Sequence, residues 1–297
     1  MATHAPRIAW LLNLDADHEL QDPARYRPVE LARVLPDWRA RMVDLVAHDD
    51  IILPSLDAQR EQVVQCFCPT PSALARLRAL GLAAPPAPAL EVLRAVNDRA
   101  FCAALGQCLP AAGFVHDMAA LERQLAHPSP SGRYVIKRAF SFAGREQRRV
   151  QHGVLDESTR GFCERSFARG EGLQVEPWVE RLADFSRHGY LTPAGDLTIG
   201  PTREGRIDEH GRFLGMHSAA PSVTEHEAEL LAEELQRTAA ALTAAGYFGP
   251  FGIDGFRYRT ADGGSALNPR CEINARFTMG YPRALLMALL LKASAAS

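Results

Sequence analysis

Near the C-terminal end, Gly249-Pro-Phe-Gly-Ile-Asp254-Gly-Phe-Arg-Tyr258 is followed, after Gly263-Gly264, by Cys271-Glu272-Ile273-Asn274-Ala275-Arg276. Two such runs around a Gly-Gly turn read as a β-hairpin. Residues two apart on a strand share a face, so Glu272 and Asn274 project together while Ile273 and Ala275 pack on the other side. A hairpin centred near Gly263 sets Asp254 opposite Glu272. Asp254, Glu272 and Asn274 then offer hard oxygen donors on one face, with no His or Cys among them. That donor set suits Mg²⁺, with Mn²⁺ as the alternative, held by carboxylates and nucleotide phosphates. An ordinary hairpin with a solvated polar face uses the same residue types, and the hairpin alone leaves both open.

Upstream, Arg133-Tyr-Val-Ile-Lys137 is an apolar strand that delivers a lysine, and the loop through Ser141, Ala143 and Gly144 follows it. A loop of small residues can lay backbone N–H groups over phosphate oxygens, with the lysine as a point charge. A solvated hairpin with a surface lysine is the alternative. Gly172-Leu-Gln-Val-Glu176-Pro-Trp178-Val179 is a strand that ends on a carboxylate and bends at Pro177. Adenine is read by a backbone N–H, an acceptor and apolar walls; Val179 can give the N–H and Glu176 can accept from the exocyclic amine. Asp184 falls on the next strand, where a carboxylate can hold ribose hydroxyls.

Taken in order, Asn97-Asp98-Arg99, Lys137 with its Gly144 loop, Glu176-Pro-Trp178-Val179, Asp184, Gly252-Ile-Asp254 and Glu272-Ile-Asn274-Ala-Arg276 resemble the ATP-grasp superfamily. The resemblance covers about residues 90 to 285; the E-x-N-x-R element with its upstream Asp is its most specific part. It implies an α/β N-terminal domain (1–88) followed by an α+β ATP-grasp domain of two subdomains that clamp the nucleotide. These are a small subdomain with a phosphate-covering loop (89–172) and a C-terminal subdomain with the adenine segment and metal site (173–297). It further implies ATP as cofactor, with Arg99 and Lys137 on its phosphates under the Gly144 loop. Glu176, Trp178 and Val179 would lie at adenine, Asp184 at ribose, and Asp254, Glu272 and Asn274 on magnesium. Arg276 and Lys137 would be the catalytic cations.

Most members are ligases that join a carboxylate to an amine through an acyl phosphate, releasing ADP and phosphate. A kinase acting on a small molecule, or a nucleotide-binding protein without turnover, would carry the same motifs. The chain departs from the pattern in places. Arg99 stands where many members have a lysine, which changes reach and donor geometry. Gly252 stands where D-alanine:D-alanine ligases have an arginine, and Phe277-Thr-Met-Gly280 replaces their terminal substrate motif.

The remaining sequence must position these residues. Its 297 residues allow two or three packed units, and the hydrophobic content of 47% is that of a globular chain. A net charge of −2 argues against nucleic acid and for a small or neutral partner; the resemblance implies a carboxylate and an amine, such as an amino acid or short peptide. No targeting or membrane-spanning segment is apparent, so a cytoplasmic location is expected. Cys66 and Cys68 lack a second ligand pair nearby, and the cysteines read as reduced thiols. Ile8–Leu12, Asp50–Pro54 and Val63–Cys68 are strand-length apolar runs, with a helix from Ser72 to Leu80 after them, which predicts a mostly parallel sheet. Asn13, Asp15 and Asp17 read as turn formers opening a loop, with a cleft lining as the other reading. Ala83 to Ala89 carries three prolines and marks a linker. Thr224-Glu-His-Glu227 is a capping box opening a helix that Gly246 ends. The leucine-rich segment from Ala284 to Lys292 predicts a helix that packs into the core, a homodimer contact being the alternative. His188 and His217 are candidate bases outside the main set.

Overall fold

The structure is a computed structural model and describes residues 7–30, 33, 36–54, 63–106, 109–140, 147–151, 153–208 and 213–296. In the N-terminal unit β1 (Ile8–Leu11), α1 (Ala16–Gln21), α2 (Trp38–Arg41), β2 (Ile51–Ile52), β3 (Val63–Cys66) and α3 (Pro71–Ala79) follow one another. The strands form a parallel sheet in the order β2-β1-β3. β1 is buried along its whole length, as expected of the central strand of a covered sheet. Pro71 opens α3 in its first turn, where a missing N–H costs nothing, and Ala73 and Leu77 bury the face toward the sheet.

After the proline-rich segment come α4 (Leu90–Asn97) and α5 (Arg99–Ala104). Asp98 adopts an extended conformation that ends α4, and its side chain accepts from Ala100 N at 2.7 Å to start α5. Then β4 (Gly113–Val115), α6 (Met118–Leu125), β5 (Arg133–Arg138), β6 (Gln147–Gln151), α7 (Glu157–Phe167) and β7 (Leu173–Pro177) build an antiparallel sheet, β4-β7-β5-β6. Asp117 and Asp156 cap α6 and α7. Leu121, Leu125, Phe162 and Cys163 of these helices pack on Tyr134, Ile136, Leu173 and Val175. β7 therefore lies between β4 and β5, whereas a division at 172/173 would assign it to the C-terminal unit. Its backbone hydrogen bonds tie it to the preceding strands, and its sequence neighbour β8 starts the next sheet.

That sheet comprises β8 (Arg181–Leu191), β9 (Leu197–Ile207), β10 (Phe213–Met216), β11 (Gly249–Arg259) and β12 (Ser265–Asn274), antiparallel in the order β10-β9-β8-β11-β12. The helix α8 (Glu225–Ala244) covers one face. Its capping box forms as the sequence indicates, and Gly246 follows its C-terminus at φ +82°. Leu231 is fully buried, and Leu235 and Leu242 pack with Phe251, Ile253, Ile273 and Ala275. The chain closes with α9 (Arg283–Ala296). Leu285 and Leu286 join Trp10, Leu12, Phe67, Phe277 and Tyr281 in one core, so this helix fastens the N-terminal sheet to the C-terminal one. None of the helices among the described residues is long and apolar enough to cross a membrane.

Candidate active site between the two antiparallel sheets

The central strand β11 lies between β8 and β12, and along it Asp254 is in register with Ser186 on one side and Glu272 on the other. The expected pairing of Asp254 with Glu272 is present, although the turn alone would not give it. Arg259 pairs with Ser265, a register that continued unbroken would put Arg270 opposite Asp254; an irregularity between Asp254 and Phe256 shifts the ladder to Glu272. Gly255 makes this shift sterically feasible, because a Cβ there would sit 2.7 Å from the Asn268 carbonyl oxygen. Ile273 and Ala275 face the core beneath α8, as the alternation requires.

Hydrogen bonds gather the polar side chains on the other face and its surroundings into small groups. Asp254 accepts from Ser186 Oγ at 2.6 Å and from Asn274 Nδ2 at 2.9 Å. Arg276 donates to Asn274 Oδ1 at 2.6 Å and, through its other arm, to Asp17 Oδ2 at 2.8 Å. Arg99 donates to Glu272 Oε1 at 2.6 Å and to the Arg138 carbonyl at 2.8 Å. Lys137 donates to Glu176 Oε2 at 2.6 Å, and Gln174 occupies Glu176 Oε1 at 2.6 Å. Asp184 accepts from Arg181 at 2.7 Å. Burial, seconded by the Glu272 charge, pushes the Asp254 carboxyl up to about 6. For Glu176 burial acts upward too, but the Lys137 ammonium outweighs it and holds the carboxyl below its ordinary value.

All these groups except Asp17, Gln174 and the Arg138 carbonyl border one cleft of about 890 Å³ between the two antiparallel sheets. Of the expected site residues, Arg99, Lys137, Glu176, Trp178, Val179, Asp184, Asp254, Glu272, Asn274 and Arg276 all line it. Gly144 lies outside the described residues. Its apolar lining comes from Leu109, Val135, Val179, Leu182 and Phe256 and from Phe67, Phe213, Met216 and Met279. The described lining contains seven carboxylates against five Lys and Arg side chains. A polyanion entering this cleft needs accompanying cations. Among the described residues no group of three or more His, Cys, Asp or Glu could hold a metal by itself. Two adjacent carboxylates and an amide oxygen fit a hard cation that takes its remaining ligands from phosphates and water.

Several participants were not apparent from sequence. Ser186 lies two residues beyond Asp184 on the same strand face, a signal that was there to be used. Asp17 reads in the sequence with Asn13 and Asp15 as opening a loop or lining a cleft, but its partner is not legible there: it stands 259 residues from Arg276, and Asn13, Asp15, Asp17 and Glu19 are nearly fully buried. Asn13 bonds Cys68 and Thr70, Asp15 accepts from Tyr26 and Val29, and Glu19 accepts from Ser72. His188 is also buried; burial and then the Arg203 charge push its imidazole down to about 3, so it is neutral and a poor base. It meets Thr278 Oγ1 at 2.8 Å. A Cβ on Gly252 would come within 2.8 Å of the His188 ring. The imidazole thus occupies the space in which a side chain at position 252 would stand.

No family model matches the sequence, and no curated protein matches it. Solved structures do. The chain is similar to a D-cycloserine synthetase, with a TM-score of 0.52 at 16% identity over 97% of this chain and 99% of that one. Similarity to the D-alanyl-alanine synthetase A of Vibrio cholerae reaches a TM-score of 0.52 at 13% identity, over 97% of this chain and 94% of that one. Both are ATP-grasp ligases. The chain has the ATP-grasp fold. The biotin carboxylase domain of a Hydrogenobacter thermophilus 2-oxoglutarate carboxylase, solved with MgADP and bicarbonate, is similar with a TM-score of 0.50 at 17% identity over 71% of this chain. This chain spans about half the length of that ATP-grasp protein, 46%, and 54% of a Staphylococcus aureus N5-carboxyaminoimidazole synthetase. At identities of 17% and below, the likeness is one of fold.

Proposed function

We propose that the protein is an ATP-dependent ligase that joins a carboxylate to an amine through an acyl phosphate and releases ADP and phosphate. The observation that carries this reading is the single cleft in which Asp254, Glu272 and Asn274 converge beside Arg276, within an ATP-grasp fold. Asp254, Glu272 and Asn274 would hold Mg²⁺, or Mn²⁺, which when bound offsets phosphate charge. Val179 and the apolar walls take the adenine, with Glu176 as acceptor and Trp178 at the edge. Asp184 holds the ribose, while Lys137 and Arg99 lie toward the phosphates, and both pair with carboxylates that orient them. A carboxylate oxygen of the first substrate attacks the γ-phosphorus, and the bond from that phosphorus to the ADP oxygen breaks. The amine nitrogen then attacks the acyl carbon, phosphate leaves with the C–O electron pair, and the surplus ammonium proton passes to solvent. Arg276 stabilises charge on the transferring phosphoryl group and on the tetrahedral intermediate.

Phe67, Phe213, Met216 and Met279 beside Arg276 and Arg206 suit a carboxylate with an apolar body, an amino acid or short peptide among them. Phosphorus NMR with ATP, Mg²⁺ and pools of carboxylic acids and amines tests the reading. Equal amounts of ADP and free phosphate that require both pools are expected. ADP with a persistent new phosphate ester would make the protein a kinase instead.

A further inference from the structure

Asn274 sits between a carboxylate and a guanidinium, and that fixes which way its amide faces. A carboxylate only accepts and a guanidinium only donates, so Nδ2 must point at Asp254 and Oδ1 at Arg276, as the 2.9 Å and 2.6 Å contacts have it. Oδ1 is the one atom of this side chain that can ligate a hard cation. It is engaged by an N–H of Arg276. The second arm of the same guanidinium is held by Asp17, which stands in the first turn of α1 and is 5% exposed. Arg276 is itself 8% exposed, and its guanidinium carbon lies 5.6 Å from the centre of the Phe67 ring. The arginine has a fixed hinge on the N-terminal unit and a second contact on the atom that a cation at Asp254 and Glu272 requires.

We infer that Asp17 and Asn274 form a clamp on Arg276 that cation binding half opens. A divalent cation and a guanidinium repel each other strongly at one amide oxygen in a buried site, so occupation of the Asp254, Glu272 and Asn274 oxygens displaces one arm of Arg276. Asp17 retains the other arm and keeps the side chain at the cleft wall. The released N–H groups then face the position of the carboxylate or phosphoryl anion. Asp17 is a positioning residue, and metal-nucleotide binding precedes productive binding of the anion. This rests on the metal assignment proposed above.

The measurement is Mn²⁺ affinity in the presence of ADP, by electron paramagnetic resonance of free Mn²⁺, for the wild-type chain, Asp17→Asn, Arg276→Gln and the double variant. Arg276→Gln removes the competitor and is expected to tighten Mn²⁺ by about fivefold or more. Asp17→Asn leaves the arginine leaning on Asn274 alone and is expected to weaken Mn²⁺ by a similar factor. In the Arg276→Gln background the Asp17→Asn effect should vanish, because Asp17 acts through the arginine. An Asp17→Asn effect of equal size in both backgrounds would reduce Asp17 to a remote charge and overturn the clamp. Should Asp17→Asn fail to fold, Arg276→Lys decides. It keeps the charge but cannot bridge both partners, so Mn²⁺ should tighten toward the Arg276→Gln value, and wild-type affinity would overturn the clamp. A wild-type chain that binds no Mn²⁺ with ADP would remove the metal site itself, and the clamp with it.

Discussion

Lys137 and Glu176 show how a paired charge changes the consequence of a substitution. A surface lysine that met only phosphates could be removed without harm to the fold. Here the Glu176 side chain is 4% exposed and bonded to Lys137, so Lys137→Ala strands a buried carboxylate. Breaking a buried pair from one side costs about 3–5 kcal/mol, and a lowered melting temperature without nucleotide is expected. Lys137→Met combined with Glu176→Gln should restore most of that loss and leave ATP affinity low by equilibrium titration. Recovery of both stability and affinity would show that Lys137 does not meet the nucleotide. His188 offers a test in pH. In the unfolded chain an imidazole titrates near about 6.5, and in the folded chain it is held near 3. Between those values the unfolded chain binds a proton that the folded one refuses, so stability present above pH 6.5 is lost as pH falls. At pH 5 the loss is about 2 kcal/mol. Urea unfolding at pH 7.5 and pH 5 should show that His188→Gln flattens this slope, whatever its effect at neutral pH.

Among the elements, the β11–β12 hairpin decides the proposed metal site, and Gly255 decides the hairpin. A Cβ at Gly255 meets the Asn268 and Pro269 carbonyl oxygens at 2.7 and 2.9 Å, so Gly255→Ala must disturb the ladder where its register shifts. Weaker Mn²⁺ binding and a lower melting temperature are expected together, the affinity being read by the same resonance measurement. Unchanged affinity at lowered stability would place the bulge outside the site's geometry. The helix α8 carries its own signal. Glu227 completes the capping box and pairs with Arg257 of β11. Its hydrogen bond from Arg257 is the main reason that its carboxyl is held down at about 2. The sign follows: a depressed carboxylate contributes stability above its unfolded value of about 4.3, and that contribution is lost as pH falls toward 2. Glu227→Gln should remove this part of the acid sensitivity in thermal melts between pH 5 and pH 2.

On the scale of the whole molecule, the N-terminal unit is part of the site rather than an appendage. Asp17 reaches Arg276, Asp44 pairs with Arg203, and Asp50 takes Arg283. Trp10, Leu12 and Leu14 share a core with Phe277, Tyr281 and Leu285. A chain starting at residue 89 would expose that apolar surface and leave Arg276 without its carboxylate. It is expected to aggregate on expression, as light scattering would show, despite containing every motif of the ATP-grasp pattern. A soluble, nucleotide-binding fragment would mean that the N-terminal unit is dispensable for folding.

Much was legible in the sequence because it is local. Period-two alternation gave the faces of Glu272 and Asn274, the Thr224 to Glu227 box gave the start of α8, and apolar runs gave the parallel N-terminal strands. The order of motifs pointed to the fold, since motif order along the chain survives when overall identity does not. Other features exist only in three dimensions. The ladder shift at Gly255 depends on the partner strand, the placement of β7 on hydrogen bonds to β4 and β5, and the loss of basicity at His188 on its burial. Asp17 meets Arg276 because β1 and α9 share a core, a long-range contact that neither residue's neighbours announce. The sequence by itself determined which side chains are proposed to meet a nucleotide and a cation; only tertiary packing decided which of them are already paired, and with whom, because pairing depends on distance in space and not along the chain.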